Sequence, residues 1–182
     1  MSSIGAYSPN PGAFVTEDWP THSLPTAAYG REKAYVERYL DTFELRHPDI
    51  RVVRLRPAFA FKRGSGSEQH RIFAGPFVPR AVMRPGRMPV LPVPTGLQFQ
   101  AVHTDDLAAA TSRTLTGDTR GAFNIAAEPV IDGDTLARLF DARPISVPPV
   151  VVRTTVGAAW RLRLARADAA LLNLLEHLPN LD

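Results

Sequence analysis

The chain has 182 residues, a formal net charge of +3, 45% hydrophobic residues and no cysteine. This composition supports a folded domain with an apolar core and argues against intrinsic disorder. The absence of cysteine excludes disulfides, thiolate zinc sites, iron–sulfur clusters and a cysteine nucleophile. Because the sequence has neither an apolar run of transmembrane length nor a secretory signal, we expect a cytoplasmic protein with no membrane partner.

The basic charge of the sequence does not predict a nucleic-acid partner. All basic residues except Lys33 and Lys62 are arginines, and they are spread along the chain among acidic residues. Nucleic-acid-binding proteins instead concentrate basic side chains on one face. We therefore expect no nucleic-acid partner.

The first third of the chain predicts the order strand, helix, strand. Residues 2–7 read as the end of a strand that runs into a loop rich in proline and glycine. Residues 27–43, between Pro25 and Pro48, carry apolar or aromatic side chains at helical spacing. These side chains belong to Tyr29, Val36, Leu40 and Phe43. Residues 50–57 read as a second strand, so the segment predicts a βαβ unit in a parallel sheet.

The rest of the chain has a less regular pattern. Six prolines fall within residues 76–94, too many for a central strand or a long helix, so we predict an irregular lobe there. Residues 104–106 read as the cap of a helix that follows a strand. The later predicted elements are strands at 98–103 and 121–126 and helices at 104–114, 132–140, 150–164 and 167–178, with no clear terminal element.

Tyr29 and Lys33 form the sharpest candidate for chemistry. Residues four apart lie on one face of a helix about one turn from each other, so both side chains can face the same cleft. A phenol is a poor proton donor or acceptor at neutral pH, but a nearby ammonium lowers the pKa of a phenol and favours the phenolate. Such a pair can act as a general acid or base. On spacing alone, a half-buried aromatic side chain beside a solvated charge is the more common arrangement.

His103 is a second candidate. With Asp105 and Asp106 it could form a metal site or a histidine–carboxylate relay. A histidine at the end of a strand and beside the N-terminus of a helix also has a structural explanation, because polar side chains cap such ends. We predict no metal site.

Five short segments follow one another in an order that carries a resemblance. Residues 2–7 read Ser-Ser-Ile-Gly-Ala-Tyr, residues 29–33 Tyr-Gly-Arg-Glu-Lys, residues 55–57 Leu-Arg-Pro, residues 99–108 Phe-Gln-Ala-Val-His-Thr-Asp-Asp-Leu-Ala, and residues 121–125 Gly-Ala-Phe-Asn-Ile. Together they resemble the extended short-chain dehydrogenase/reductase family, the NAD-dependent epimerase/dehydratase group. The match spans most of the chain, and the ordered set is far more specific than any single motif.

The resemblance implies a role for each matched residue. Ser3, four residues before the motif tyrosine, would hydrogen-bond the substrate oxygen. Tyr29 would exchange a proton with the substrate hydroxyl or carbonyl, and Lys33 would hold the nicotinamide ribose and tune the tyrosine. Pro57 and Ala58 would lie beside the nicotinamide through their backbone, so that these two residues, Tyr29 and Lys33 form the implied cofactor contacts.

The resemblance also implies NAD or NADP as the cofactor, and a substrate contact for Arg63. A dinucleotide site needs a glycine-rich turn after its first strand, and the sequence contains no such pattern. Because the family places that turn upstream of the Ser-Ser strand, we expect a carboxy-terminal portion of such an enzyme, shortened at both ends. We expect weak or absent NAD binding and no turnover. An uncovered sheet edge would favour association with a partner, including a second copy in a homodimer.

The predicted fold is α/β, a partial Rossmann-like parallel sheet with a small irregular α+β substrate lobe. We treat residues 1–182 as one portion of such an enzyme, with the catalytic helix in residues 1–57 and the lobe and returning strands in residues 58–182. The resemblance implies an NAD(P)-dependent oxidoreductase, epimerase or dehydratase acting on a hydroxyl or carbonyl of a sugar nucleotide or similar small molecule. The alternative is a non-catalytic binding or scaffold protein that retains the fold and uses the proline-rich lobe as a partner surface.

Overall fold

The computed structural model describes residues 1–62, 85–163 and 173–182. It is a mixed α/β structure with parallel strand pairs, which confirms the predicted fold class. The strands are β1 (Phe14–Val15), β2 (Val53–Pro57), β3 (Phe59–Phe61), β4 (Val90–Pro94), β5 (Gln98–His103), β6 (Gly121–Ile125), β7 (Ala127–Asp132), β8 (Arg143–Val147) and β9 (Asn180–Leu181). The helices are α1 (Ala28–Arg46), α2 (Thr104–Thr116), α3 (Gly133–Leu139) and α4 (Pro149–Arg161), and a 3₁₀ helix at Ile4–Ala6 is called the Ile4 turn below.

The chain divides into two compact units. The first comprises Met1–Lys62, Phe99–Val130 and His177–Asp182, and the second comprises Arg63–Gln98 and Ile131–Glu176. The sequence-predicted site residues of the first unit are Ser3, Tyr29, Lys33, Pro57 and Ala58. The predicted division of the chain at residue 57 stays a prediction.

Strand β2 connects the segments of the first unit that surround the site. It pairs with β6 in parallel along its whole length. The backbone N–H of Ser2 donates to the carbonyl oxygen of Leu55 at 2.8 Å. A segment before α1 and a strand much later in the sequence therefore both bond to β2, but the first segment leads into a 3₁₀ helix and is not the strand that the predicted βαβ unit required.

Helix α1 forms where the sequence predicts a helix, but it buries a different face. Its buried residues are Gly30, Ala34 and Glu37. Tyr29 and Val36 were expected to contribute to the apolar face, yet they are 49% and 40% exposed. The buried positions follow the three- and four-residue spacing of a helical face, and two of them are small enough to allow close approach of a neighbouring segment.

Other local expectations differ from the structure. Residues 4–6 form the Ile4 turn where a strand was predicted. The cap of α2 is the side chain of His103, whose Nδ1 accepts from the N–H of Asp105 at 3.2 Å, and not residues 104–106. The last residues form β9, which pairs with β1 in parallel, although no terminal element was expected. The helix predicted at 167–178 begins outside the described residues.

The second unit has an apolar core of its own. Leu91 and Val93 of β4 and Ala137 of α3 are buried together. The partly buried side chains packed against them are Met88, Leu97, Leu136, Phe140 and Ala142. Strand β4 contains prolines and pairs with β8 in a two-stranded sheet, where a missing N–H can be tolerated. Among the described residues, no helix has the length and apolar character required to cross a membrane.

Gln100 of β5 fixes the carboxy-terminal strand β9 through its side chain. The N–H of Leu181 donates to Gln100 Oε1 at 2.6 Å, and Gln100 Nε2 donates to the carbonyl oxygen of Leu181 at 3.0 Å. The side-chain amide is buried and pairs with one backbone residue as a neighbouring strand would. The last strand is therefore held on one side by β1 and on the other by a glutamine.

Candidate active site

The Ile4 turn directly follows Ser3, the serine to which the resemblance assigns a bond to the substrate oxygen. Ser3 caps this turn, because its Oγ accepts from the N–H of Gly5 at 3.1 Å. The residue is buried. A hydroxyl that accepts one hydrogen bond can still donate its own hydrogen, so capping and donation to a substrate are compatible roles.

The Ile4 turn packs directly against the start of α1 through Gly30. A Cβ at Gly30 would lie 2.7 Å from the carbonyl oxygen of Gly5 and would overlap the Ser23 hydroxyl. Ser23 has a left-handed backbone with φ of 59°. Its Oγ donates to the carbonyl oxygen of Gly5 at 2.9 Å, and its N–H donates to that of Ala6 at 3.0 Å. Gly30, which follows Tyr29, therefore packs against Gly5, which lies two residues after Ser3.

Tyr29 and Lys33 lie one turn apart on α1, as their spacing predicts. The Lys33 ammonium is 5.6 Å from the centre of the Tyr29 ring. The phenol is about half exposed, so a small molecule can reach it. A cation at this distance from an aromatic face is attracted to the ring, which keeps the two side chains together.

Pro57 and Ala58 lie at the end of β2, and both are buried. Pro57 is opposite Ile125 of β6, and the N–H of Ala58 donates to the carbonyl oxygen of Ile125 at 2.9 Å. Arg63, the remaining predicted contact, lies outside the described residues. In the part of the chain that is described, no group of three or more histidine, aspartate or glutamate side chains is arranged to hold a metal ion.

Sequence reasoning missed a buried ion pair beside these residues. The Glu37 side chain is 0% exposed. Arg56 Nε donates to Glu37 Oε1 and Arg56 Nη2 donates to Glu37 Oε2, both at 2.9 Å. This is the two-pronged arrangement in which a guanidinium matches a carboxylate in both distance and direction. It joins the buried face of α1 to β2.

Arg56 also connects to the tyrosine that ends the Ser-Ser motif. Its Nη1 donates to the Tyr7 hydroxyl at 2.9 Å and to the carbonyl oxygen of Glu17 at 2.7 Å. The Tyr7 hydroxyl in turn donates to Asn124 Oδ1 at 2.7 Å. The guanidinium carbon lies 4.9 Å from the centre of the Tyr7 ring. One arginine therefore links α1, the segment after the Ile4 turn, and β6.

A second arginine of β2 extends the polar contact along α1. Arg54 Nη1 donates to Glu37 Oε2 at 3.1 Å and to Asp41 Oδ1 at 2.6 Å. Its Nη2 pairs with Glu44. The three acidic residues follow helical spacing and the two arginines alternate along β2, so each set lies on one face of its element. Acidic residues at helical spacing, followed by arginines at alternate positions of a strand, were the signal in the sequence that could have revealed this contact.

Burial and charge shift the pKa values of this network in opposite directions. Burial acts to raise the pKa of Glu37, but the hydrogen bonds and charge of Arg56, together with the hydrogen bond from Arg54, outweigh it and hold the pKa below its usual value. Burial raises the pKa of Tyr7 despite the neighbouring Arg56. Burial acts to lower the pKa of Arg56, but its bonds to Glu37 and Tyr7 raise it overall. At neutral pH the network therefore consists of a carboxylate, a guanidinium and a neutral phenol.

Comparison with curated proteins finds relatives of unassigned role. An uncharacterized protein of Mycobacterium tuberculosis strain H37Rv is 26% identical over 147 residues, which cover 81% of this chain and 36% of that protein. An uncharacterized protein of Mycobacterium bovis matches to the same extent. No protein-family model matches the chain.

Solved structures share the fold of this chain. UDP-N-acetylglucosamine 4-epimerase from Methanobrevibacter ruminantium M1, in complex with UDP-N-acetylmuramic acid, gives a TM-score of 0.58 at 21% identity and covers 81% of this chain and 49% of its own. A dTDP-4-dehydrorhamnose reductase from Clostridium acetobutylicum gives 0.57 at 16% identity, with coverages of 81% and 49%. UDP-glucose 4-epimerase from Thermus thermophilus, in complex with NAD, gives 0.56 at 20%, with 81% and 50%. The chain has the fold of these proteins and spans about half their length.

Proposed function

We propose that this chain carries the proton-transfer residues of an NAD(P)-dependent reductase, epimerase or dehydratase that acts on a hydroxyl or carbonyl of a sugar nucleotide or similar small molecule. The observation that carries the proposal is the Tyr29–Lys33 pair on a helix whose Gly30 packs against the turn that begins at Ser3. The shared fold with sugar-nucleotide epimerases and a reductase supports it. Association through a sheet edge, including a homodimer, stays a prediction.

The residues at this site fit the nicotinamide ribose end of the cofactor. A half-exposed phenol and an ammonium lie together on α1, and both groups can hydrogen-bond ribose hydroxyls. The backbone at Pro57 and Ala58 ends a strand that bonds to β6, which gives the nicotinamide a fixed backbone edge in this proposal. When bound, NAD(P) would supply the hydride chemistry at a substrate carbon.

The roles of the protein residues follow from their chemistry. Tyr29 would give a proton to a substrate carbonyl oxygen during reduction and take it from the hydroxyl during oxidation. Lys33 would hold the ribose and place a positive charge beside the phenol. Ser3 would donate a hydrogen bond to the same substrate oxygen and so fix its position.

A fluorescence titration with NADH tests the predicted weakness of cofactor binding. The sequence contains no glycine-rich turn to receive the pyrophosphate. We therefore expect no saturable binding at micromolar concentrations of NADH or NADPH. Micromolar affinity for either would contradict this expectation.

The ribose contact is tested by nuclear magnetic resonance with nicotinamide mononucleotide, which lacks the adenylate half. The chain has four tyrosines, so labelling with 3-fluorotyrosine gives few ¹⁹F resonances, and single Tyr-to-Phe substitutions assign them. We expect millimolar mononucleotide to shift the Tyr29 resonance and to leave that of Tyr39, an exposed tyrosine farther along α1, unchanged. The scaffold alternative predicts no shift, and either that result or equal shifts of both resonances would contradict the proposal.

Substitution of Tyr29 separates an enzyme from a scaffold once the segment works within a complete cofactor-binding enzyme. Loss of a general acid or base lowers turnover by about 10²–10⁴-fold, so Tyr29→Phe should lower kcat/KM by that order. Tyr39→Phe removes a hydroxyl from the same helix and should leave kcat/KM unchanged. Equal activity of the two variants would favour the scaffold.

A further inference from the structure

We propose that Glu37 is a positioning residue for this site. Its buried pair with Arg56 sets the position of the Lys33 turn of α1 against the end of β2, where Pro57 and Ala58 lie. The roles of Lys33, Pro57 and Ala58 in this inference rest on the proposed function. The geometric part of the inference does not depend on that function.

The two members of the pair each stand next to a residue of the site. Glu37 follows Lys33 by four residues, which is one helical turn on the same side of α1. Arg56 directly precedes Pro57 in β2. Because both prongs of the guanidinium are bonded at 2.9 Å, a slide or rotation of α1 along β2 would break at least one bond. The pair therefore fixes the position of Lys33 relative to Pro57.

The guanidinium of Arg56 also fixes the segment that contains Ser3 and Tyr7. Its Nη1 holds the Tyr7 hydroxyl at 2.9 Å, and Tyr7 follows the Ile4 turn directly. Asn124 of β6 accepts from that hydroxyl at 2.7 Å. The positions of the Ile4 turn, of the helical turn of α1 that carries Lys33 and of the end of β2 are thus coupled through Arg56.

Arg54 provides a matched comparison within the same interface. It also joins β2 to α1, through Glu37 at 3.1 Å and Asp41 at 2.6 Å, but Asp41 does not bond to Arg56 in any contact that the structure gives. Asp41 is 46% exposed, whereas Glu37 is fully buried. A general adhesive role would be shared by both acidic residues, while a positioning role is specific to Glu37.

The chain offers a direct measure of this position. It has two lysines and no cysteine. Reductive ¹³C-methylation therefore marks Lys33, Lys62 and the amino group of Met1, and Lys33→Arg and Lys62→Arg variants assign the signals. Ala126→Cys accepts a single nitroxide label at an exposed position just after β6. Paramagnetic relaxation of the Lys33 methyls then reports the distance between α1 and the strand end opposite Pro57, with Lys62 as the internal reference.

The expected result is a change specific to the Glu37–Arg56 pair. Glu37→Gln should alter the paramagnetic relaxation of Lys33 relative to Lys62, and Asp41→Asn should leave the ratio unchanged. Arg56→Lys keeps the positive charge but loses the two parallel hydrogen bonds to the carboxylate. It should therefore change the relaxation ratio of Lys33 to Lys62 as Glu37→Gln does. If Glu37→Gln does not fold, Arg56→Lys decides the question.

Two results would overturn the proposal. One is an unchanged Lys33 ratio in folded Glu37→Gln or Arg56→Lys protein, and the other is an equal change in Asp41→Asn. Neither depends on cofactor binding. A chain that fails the mononucleotide test but shows the displaced Lys33 signal would contradict the proposed function and support the positioning role, and the opposite pattern would do the reverse.

Discussion

The α1–β2 contact of the first unit and the apolar core of the second unit are held together by different interactions. In the first, two arginines of β2 meet three acidic residues of α1, and the fully buried member is Glu37. In the second, Leu91, Val93 and Ala137 pack without any charged group among them. The first contact is directional and the second is not.

This difference determines what each contact can specify. Apolar packing scales with buried area and tolerates side chains of similar volume. A buried ion pair contributes less net stability than its short distances suggest, because both charges lose water, but it depends strongly on geometry. We infer that the polar contact defines the arrangement of the site, while the apolar core mainly stabilises its unit.

The largest expected effect comes from deleting one partner of the buried pair. Glu37→Ala leaves Arg56 charged, buried and without its carboxylate, which should lower the free energy of unfolding by about 3–5 kcal/mol. Asp41→Ala, at a half-exposed position, should lower it by about 1 kcal/mol or less. Urea unfolding followed by the fluorescence of Trp19 as the sole tryptophan, in a Trp160→Phe background, reports on the first unit.

Leu91→Ala is the apolar counterpart for that measurement. It should lower the free energy of unfolding by about 2–5 kcal/mol. The loss should be visible through Trp160, which lies in the second unit, in a Trp19→Phe background. A loss at Glu37→Ala no larger than that at Asp41→Ala would contradict the distinction between the buried and the exposed acidic residue of the α1–β2 contact.

A smaller effect is expected from adding one methyl group where α1 meets the Ile4 turn. Gly30→Ala improves helix propensity by up to about 1 kcal/mol, but its Cβ would lie 2.7 Å from the Gly5 carbonyl oxygen. Because that atom is backbone, the turn must move, and overpacking of this kind costs about 1–3 kcal/mol. We expect a net loss of stability in urea unfolding. Equal or greater stability of Gly30→Ala would show that the contact is loose.

The smallest expected effect is a dependence of stability on pH. The pKa values of Glu37 and Asp41 are held below their usual range, in both cases against the effect of burial and by hydrogen bonds from arginines. Their contribution to stability is complete above the pKa of the unfolded chain and is lost as the pH falls through the folded pKa, below about pH 4. Fluorescence of Trp19 across an acid titration in urea should show this loss, and Glu37→Gln should reduce it. An unchanged acid midpoint in that variant would remove Glu37 from the explanation.

Much of the fold followed from patterns with a direct physical cause. Helix α1 and strand β2 lie close to their predicted limits. Helical spacing of apolar side chains marks the helix, and prolines lie near the ends of both elements. Asp132 caps α3 through the N–H of Thr135 at 2.8 Å, as a helix beginning near residue 132 requires. The two-residue strands β1 and β9 could not be predicted, since their pairing depends on segments far apart in sequence and they are too short to show alternation.

The site was only partly predictable for a related reason. The spacing of Tyr29 and Lys33 is local, and the structure keeps the two side chains together. The buried face of α1 was not predictable from apolar spacing, because Glu37 is polar in the sequence and becomes a core residue only through Arg56 of a later strand. Local spacing within one element therefore revealed the residues proposed for chemistry. The contact proposed to position them shows in the sequence only when the acidic spacing of α1 is compared with the arginine spacing of β2.

The glutamine that holds β9 has a practical consequence for anyone who handles this protein. Removing Leu181 and Asp182 would leave the buried Gln100 Oε1 without its backbone donor, and Gln100 Nε2 would keep only Glu128 Oε1, at 3.5 Å. The loss of Leu181 would therefore destabilise the middle of β5, where Gln100 lies.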